Sequence, residues 1–418
     1  MSAKDNTKIH WGVLGVGNVC KVKSAPAMNK IPGSRLAAVM RRDVIKAREY
    51  ARLHNVPRWY DDADALLADP EINAVYIATP PHVHLELTRK AAAAGKPVYV
   101  EKPMARTWRE CQEMIDVCEQ AGVPLFVAYY RRMLPNYRKI KELVDGGVIG
   151  DVRSVSIRMS KPANPATDRD PANWRVNPHL AGGGYFYDLA SHQLDFLDYL
   201  LGPIADVHGF SSNQAGLYKA EDIVTGTFRF ENGVHGTGSW CFTAAESATT
   251  DLTIITGSKG EIHYPTFSDY YLDLKTDTPG KTSYAPANQP PDDTVPSSPS
   301  THAVPSASSA PSATSPHSAS SAPSPGQSEH IAPGTIRFHF DMPEHIQQPL
   351  IETIVSDLMT RLNADDPDSR DARLKKEKTP AGESIGNIPG STSGFKCPST
   401  GISAARTNRV MEEMLGPV

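Results

Sequence analysis

The chain has 418 residues, enough for two domains with separate cores. Its 43 basic and 47 acidic side chains leave a net charge of −4, which gives no electrostatic basis for binding nucleic acid or an anionic membrane surface. No stretch approaches the roughly 18 apolar residues of a membrane span, and residues 1–8 lack the apolar run of a signal peptide, so a cytoplasmic location is expected. Five cysteines, odd in number and without a C-x-x-C pair, suggest reduced thiols rather than a disulfide framework or a zinc site.

Residues 9–14 read as a buried strand that runs into Gly15-Val16-Gly17-Asn18-Val19-Cys20 and then a helix. Strand, glycine turn and helix stand in the order a dinucleotide site needs. Gly15 permits the tight turn, and Gly17 lets a pyrophosphate approach the main-chain N–H groups where Asn18 and Val19 open the helix. Cys20 occupies the place of a usual third glycine or alanine. A second strand at 35–40, a helix at 44–55, a third strand at 73–78, a helix at 85–94 and a fourth strand at 97–100 follow, then a helix at 108–121 and a strand at 124–129. Such alternation calls for a parallel sheet with ligands at the strand C-terminal ends. Thr79 and Pro80 after the third strand, and Glu101 and Lys102 after the fourth, therefore join the candidate cofactor site.

After the second strand, where an acid would accept a ribose diol, the chain offers Arg41-Arg42-Asp43. Two guanidiniums favour NADP over NAD; the competing reading leaves one arginine solvated and gives Asp43 to the cap of the next helix. His82 and His84 form an H-x-H pair with no third ligand, so no metal is expected, and His84 is read as serving backbone groups beside the helix start, on the cofactor side. Tyr137 and Lys141 have the Y-x-x-x-K spacing of short-chain dehydrogenases, but the glycine spacing differs, and both are expected on the surface of a helix at 136–145.

Gly182-Gly183-Gly184 precede a segment that ends at Gly202-Pro203 and reads as one helix. At about 100° per residue, Asp188, His192, Asp195 and Tyr199 share a stripe roughly 60° wide. A neutral imidazole between two carboxylates is the arrangement a general acid or base requires, whereas the plainer reading is a solvated polar face. Strands are expected at 152–159, 204–210, 223–230, 233–242, 250–256 and 260–264, in a sheet with one covered face. Residues 283–333 are rich in Ser, Ala, Pro and Thr and are expected to be disordered, and 363–398 form a second polar, flexible interruption between the closing helices at 344–362 and 404–415. A cofactor domain of residues 1–128 and a substrate domain of 129–418 follow.

Taken together, Gly15-x-Gly17, Thr79-Pro80-Pro81, the run from Gly95 through Glu101-Lys102-Pro103, and Gly182-Gly183-Gly184 with Asp188-x-x-x-His192 resemble the glucose–fructose oxidoreductase, inositol dehydrogenase and MocA family. The resemblance implies a Rossmann domain followed by an α+β domain on a large, mostly antiparallel, open-faced sheet, through which a homodimer or homotetramer would form. It implies that Lys102 reaches nicotinamide and substrate hydroxyl, that a cis bond precedes Pro103, that His192 is the general base or acid, and that Asp188 orients substrate. Trp174 and Arg175 resemble a substrate-side segment. The function implied is NAD(P)-dependent transfer of hydride at a secondary hydroxyl of a sugar, inositol or related diol; a non-catalytic dinucleotide sensor and an NAD-assisted glycosidase are the alternatives.

Overall fold

The computed structural model describes residues 8–277, 328–365 and 395–416. Among them, the first sheet has six parallel strands in the order β3-β2-β1-β4-β5-β6: β1 (Ile9–Leu14), β2 (Ser34–Met40), β3 (Arg58–Tyr60), β4 (Ala74–Ile77), β5 (Val98–Val100) and β6 (Leu125–Val127). Strand β1, Ile-His-Trp-Gly-Val-Leu, is buried throughout, as a parallel strand covered on both faces must be. Helices α1 (Asn18–Val22), α2 (Ala25–Lys30), α3 (Val44–Leu53), α4 (Ala63–Ala68), α5 (His84–Ala93) and α6 (Trp108–Gln120) make the crossovers. The predicted elements lie within a few residues of these. Strand β3 was not expected, because three residues are too few to show a period.

After α7 (Pro135–Asp145), the second sheet takes the order β14-β15-β13-β12-β11-β7-β10-β9-β8. Its strands are β7 (Val152–Pro162), β8 (Ile204–Ser212), β9 (Ile223–Phe230), β10 (His235–Ala244), β11 (Thr250–Gly257), β12 (Gly260–Tyr264), β13 (Tyr271–Thr276), β14 (Ser328–Ala332) and β15 (Thr335–His339). All neighbours are antiparallel except β7 and β10. One face buries Val155, Ile157, Phe228, Trp240 and Ile255 against Phe186, Leu194 and Leu197, with the Trp240 indole donating to Gln193 at 2.7 Å. Each large side chain so buried contributes about 1.5–3 kcal/mol. The other face is open, and Phe210 on β8 is 84% exposed.

Two short turns, α8 (Pro165–Asp168) and α9 (Pro178–Ala181), lead to α10 (Ser191–Leu201), with α11 (Gln348–Asp365) and α12 (Gly401–Leu415) closing the chain. The segment read as one helix before Gly202 opens instead with a wider π-helical turn, Phe186–Ala190. That extra residue in the turn rotates Asp188 away from the regular α spacing to His192. Tyr137, expected on the surface, is buried against Phe196 and Tyr264 at ring distances of 4.5 and 5.9 Å; the α7 face it occupies carries the core residues Ile140 and Leu143. Lys141 does reach outward, to Asp145.

The expected disorder at 283–327, and the expected flexibility of 366–394, lie outside the described residues. At the ends of both stretches the structure corrects the reading. Ser328–Ala332 pairs with β15, because Glu329 and His330 can extend a sheet edge that composition alone hid. Phe395 packs edge-on to Phe126 at 5.4 Å, and the main-chain N–H groups of Lys396 and Cys397 donate to Asp357 at 2.9 and 2.7 Å. Helix α11 begins at Gln348, later than the expected 344, because Gln347 is drawn into the first domain.

Candidate active site

Lys102 leaves the C-terminal end of β5 at a cis Lys102–Pro103 bond. Its ammonium does not pair with Glu101. It crosses to the second domain, donating to the Asp188 backbone carbonyl at 2.7 Å and to Asp188 Oδ1 at 2.5 Å. Asp188 Oδ2 accepts from Arg175 Nε at 3.2 Å. Burial pushes this carboxyl up, but Lys102 and Arg175 outweigh it and hold the group down at about 2. Arg175 lies over the Trp174 ring at 4.7 Å. Its turn is tied down by Asn173, which accepts from the Arg175 N–H at 3.3 Å and donates to the Tyr185 hydroxyl at 3.1 Å; Tyr185 in turn donates to the buried Asp168 at 2.7 Å. Lys102, Asp188, Trp174 and Arg175, read from three separate places in the sequence, therefore converge.

His192 stands on the first turn of α10, 3% exposed, with the rings of Tyr130, Phe267 and Tyr129 edge-on at 5.2, 5.9 and 6.1 Å. Its Nδ1 has no hydrogen-bond partner among the described residues. Burial, then the charges of Lys102, Arg131 and Lys23, hold the imidazole well below its ordinary pKa of 6.5. It is neutral at physiological pH, which is the form a base requires.

The carboxylate clamp expected around His192 is not formed. Asp195 is held by Arg132, through Nε at 2.8 Å and Nη2 at 2.5 Å, and Asp198 by Arg406. A buried carboxylate gains more from a bidentate guanidinium than from a neutral imidazole, since charge-assisted bonds are about twice as strong as neutral ones. Tyr199 faces Arg132 and Lys141 at 5.1 and 5.3 Å. Of the predicted stripe, Asp188 and His192 belong to the site, while Asp195 and Tyr199 tie α10 to the Tyr130–Met133 turn and to α7.

On the dinucleotide side, Gly15 has φ +92°, and a Cβ there would stand 2.5 Å from Thr79 Cγ2. At Gly17 a Cβ would meet nothing within 4 Å, so the open side of the turn is free for a phosphate to approach. Cys20 is buried behind the turn, its thiol pushed up to about 12 by burial, and fills the small-residue role. Asn18 and Val19 open α1. The Thr79 hydroxyl and His82 Nδ1 are buried without partners among the described residues, beside Pro80 at the end of β4. Arg41 turns back to donate to the Val16 carbonyl at 3.0 Å, Arg42 is exposed, and Asp43 caps α3 through the Lys46 N–H at 3.1 Å. This donor set and open turn fit a nicotinamide dinucleotide.

Two cofactor-side candidates have other work. His84 is fully buried, with Nε2 2.8 Å from the Thr79 carbonyl and Nδ1 3.0 Å from that of Met104, so it ties together the loops after β4 and β5 and presents no face to a ligand. Glu101 turns into the core, where its Oε1 accepts from Tyr76 at 2.5 Å and from Gln347 at 2.7 Å. A buried carboxylate must be fully hydrogen-bonded, and only the interior offers Glu101 those donors. Sequence reasoning missed Arg131, Tyr130 and Phe267, the neighbours of His192. Arg131 and Arg132 are adjacent and alike in sequence, and Phe267 arrives from a loop with no motif. Among the described residues there is no group of three metal-ligating side chains.

Residues 9–129 match the profile of an oxidoreductase family with an NAD-binding Rossmann fold, and residues 137–263 that of the GFO/IDH/MocA C-terminal domain. The chain is 40% identical over 259 residues to oxidoreductase P35 of Formosa agariphila, covering 62% of this chain and 79% of that protein. It is 30% identical to myo-inositol 2-dehydrogenase of Thermotoga maritima, covering 54% of this chain and 66% of the relative. A solved structure of levoglucosan dehydrogenase in complex with NADH and levoglucosan superposes with TM-score 0.60 at 26% identity, over 66% of this chain and 78% of the other. The paired profiles, the P35 likeness and the convergence of Lys102, Asp188 and His192 place the chain in the glucose–fructose oxidoreductase, inositol dehydrogenase and MocA family of NAD(P)-dependent oxidoreductases.

Proposed function

We propose that this enzyme transfers hydride between a nicotinamide dinucleotide and a secondary carbinol or carbonyl of a sugar, inositol or related diol. The observation that carries the reading is the bond from Lys102, at a strand end of the dinucleotide domain, to Asp188, one turn before the neutral His192 of the second domain. A nicotinamide dinucleotide held at the Gly15–Gly17 turn would supply the hydride acceptor. His192 takes the hydroxyl proton as the carbon–hydrogen bond is given up. Lys102, held as an ammonium by Asp188, stabilises the developing alkoxide, while Asp188 and the Trp174–Arg175 turn orient the remaining hydroxyls. A set of this kind favours catalysis over a sensor role. A panel of sugars and polyols with both cofactors, followed by reduced-nicotinamide absorbance, tests the proposal; no turnover and no dinucleotide binding would overturn it.

We divide the chain into a cofactor domain of 1–128 and a substrate domain of 129–418, and prefer NADP to NAD on the position of Arg42. Among the described residues Arg42 makes no hydrogen bond or ion pair, whereas Arg41 is spent on Val16. A charge-assisted hydrogen bond to a 2′-phosphate is worth about 1.5–3 kcal/mol, roughly a 10- to 150-fold preference. Arg42→Ala should weaken NADPH much more than NADH by calorimetry, and equal affinities in the parent would remove the preference. The open sheet face carrying Phe210 supports a homodimer or homotetramer, to be read from sedimentation at micromolar protein; a monomer would refute it. Five free cysteines support a cytoplasmic setting, which cell fractionation checks.

A further inference from the structure

We infer that the substrate carries a carboxylate, and that Arg131 is the residue that recognises it. The inference rests on the dehydrogenase reading and narrows it from sugars and polyols to sugar acids.

Adjacent arginines make the contrast. Arg132 is satisfied on every side, by Asp195, by the Pro398 carbonyl at 2.5 Å and by Ser403 Oγ at 3.2 Å. Arg131 is 5% exposed, yet its Nε and Nη1 have no hydrogen-bond partner among the described residues. Its guanidinium lies over Phe267 at 4.5 Å, Tyr130 at 5.6 Å and Tyr137 at 5.8 Å. Aromatic faces attract a cation without accepting its N–H groups; the Tyr137 hydroxyl also bears on Arg131, but Nε and Nη1 stay unmet, and a buried charge short of hydrogen bonds is strongly disfavoured. Such a group persists where a ligand completes it.

The location names the ligand. Tyr130 and Phe267, which wall the guanidinium, are the same rings that stand edge-on to His192, so an anion at Arg131 shares two of its walls with the proton acceptor. Among the described residues no carboxylate forms an ion pair with Arg131. Asp251, whose charge acts on Arg131, spends its carboxylate on the main-chain N–H groups of Thr266, Phe267 and Ser268 at 3.0, 2.5 and 3.1 Å, and so sets the loop that lays Phe267 on the arginine. Asp188 is already shared between Lys102 and Arg175. Lys23, Lys102 and Arg131 all bear on His192, and the pocket is left with a surplus of positive charge. A planar guanidinium between flat rings suits a planar carboxylate, on a monosaccharide small enough to place a neighbouring secondary hydroxyl at His192.

The test compares D-glucuronate with D-glucose and D-galacturonate with D-galactose, with glucose 6-phosphate as a separate arm, in the parent, Arg131→Met and Arg131→Lys. The parent should favour each acid in kcat/KM by about 10- to 150-fold, as for one charge-assisted interaction. Arg131→Met should bring that ratio close to one, and Arg131→Lys to an intermediate value. Calorimetry of glucuronate and glucose on the NADH-loaded parent gives the same comparison without turnover and without any variant. Acids that bind and react no better than neutral sugars, an acid preference that survives in Arg131→Met, or a preference for the phosphate over glucuronate would each overturn the proposal. Turnover of neutral sugars alone would remove this inference and leave the dehydrogenase standing; failure to bind dinucleotide would remove the dehydrogenase, while an acid preference in sugar calorimetry of the unloaded parent that is lost in Arg131→Met would still uphold Arg131.

Discussion

Lys102→Met is expected to lower kcat by about 10²- to 10⁴-fold, and His192→Ala by a similar factor, with both variants still binding dinucleotide. The two losses have different origins. Removing Lys102 takes away the charge that meets the alkoxide and leaves Asp188 with Arg175 alone, so the carboxyl rises from about 2. It also removes one of the cations that depress His192, so the imidazole of Lys102→Met should titrate at higher pH than in the parent. In the parent, the base form persists well below pH 6.5, and the acid limb of kcat/KM for alcohol oxidation lies below that value. The same depression sets a stability trend: the unfolded chain takes up the proton below pH 6.5 while folded His192 stays neutral, so its contribution is present above that pH and fades as pH falls. Stopped-flow and steady-state pH profiles check all of this. Near-parental turnover in either variant would remove that residue from the mechanism, and an acid limb at or above 6.5 would show that His192 is not the base.

The cofactor half was legible because its signals are local. A buried apolar run followed at once by Gly15 and Gly17 reports both the strand and the turn, and the strand ends at Thr79 and Lys102 follow from βα alternation alone. Asp188 and His192 were found by helical spacing, although their geometry was not, since no periodicity announces a π-helical turn. Charges were harder to place. Asp195 looks like a partner of His192 along a helix, but it meets an arginine brought from a distant segment, Arg132. Glu101 and His84 sit in a cofactor motif yet serve the core, because what they bond, Gln347 and the Met104 carbonyl, is set by tertiary structure. Composition concealed β14 for a related reason: an edge strand needs one partner and little apolar content, so Ser328–Ala332 carries no period of its own.

Arg132→Met is expected to cost about 3–5 kcal/mol of stability, a large share of the roughly 5–15 kcal/mol that holds a typical native protein. The side chain is buried with Asp195, and the same guanidinium reaches the Pro398 carbonyl and Ser403, which fix the start of α12. Taking it away strands a carboxylate in the core beside Asp198 and frees the closing helix from the Tyr130–Met133 turn. The loss should depend on pH in a known direction. Burial already pushes the Asp195 carboxyl up to about 6 against the pull of Arg132, and without the arginine it rises further above its unfolded value of 3.8. A group whose folded pKa is raised takes up protons on folding, so the variant should recover part of its deficit as pH falls from 8 towards 5. The double change Arg132→Met with Asp195→Leu should recover more of it at every pH, because an apolar pair of similar volume leaves no charge in the core. Urea denaturation followed by circular dichroism at pH 8 and pH 5 reads both effects. An unchanged midpoint in Arg132→Met, or a double variant no more stable than the single one, would show that the pair does not join α10 to α12 as argued.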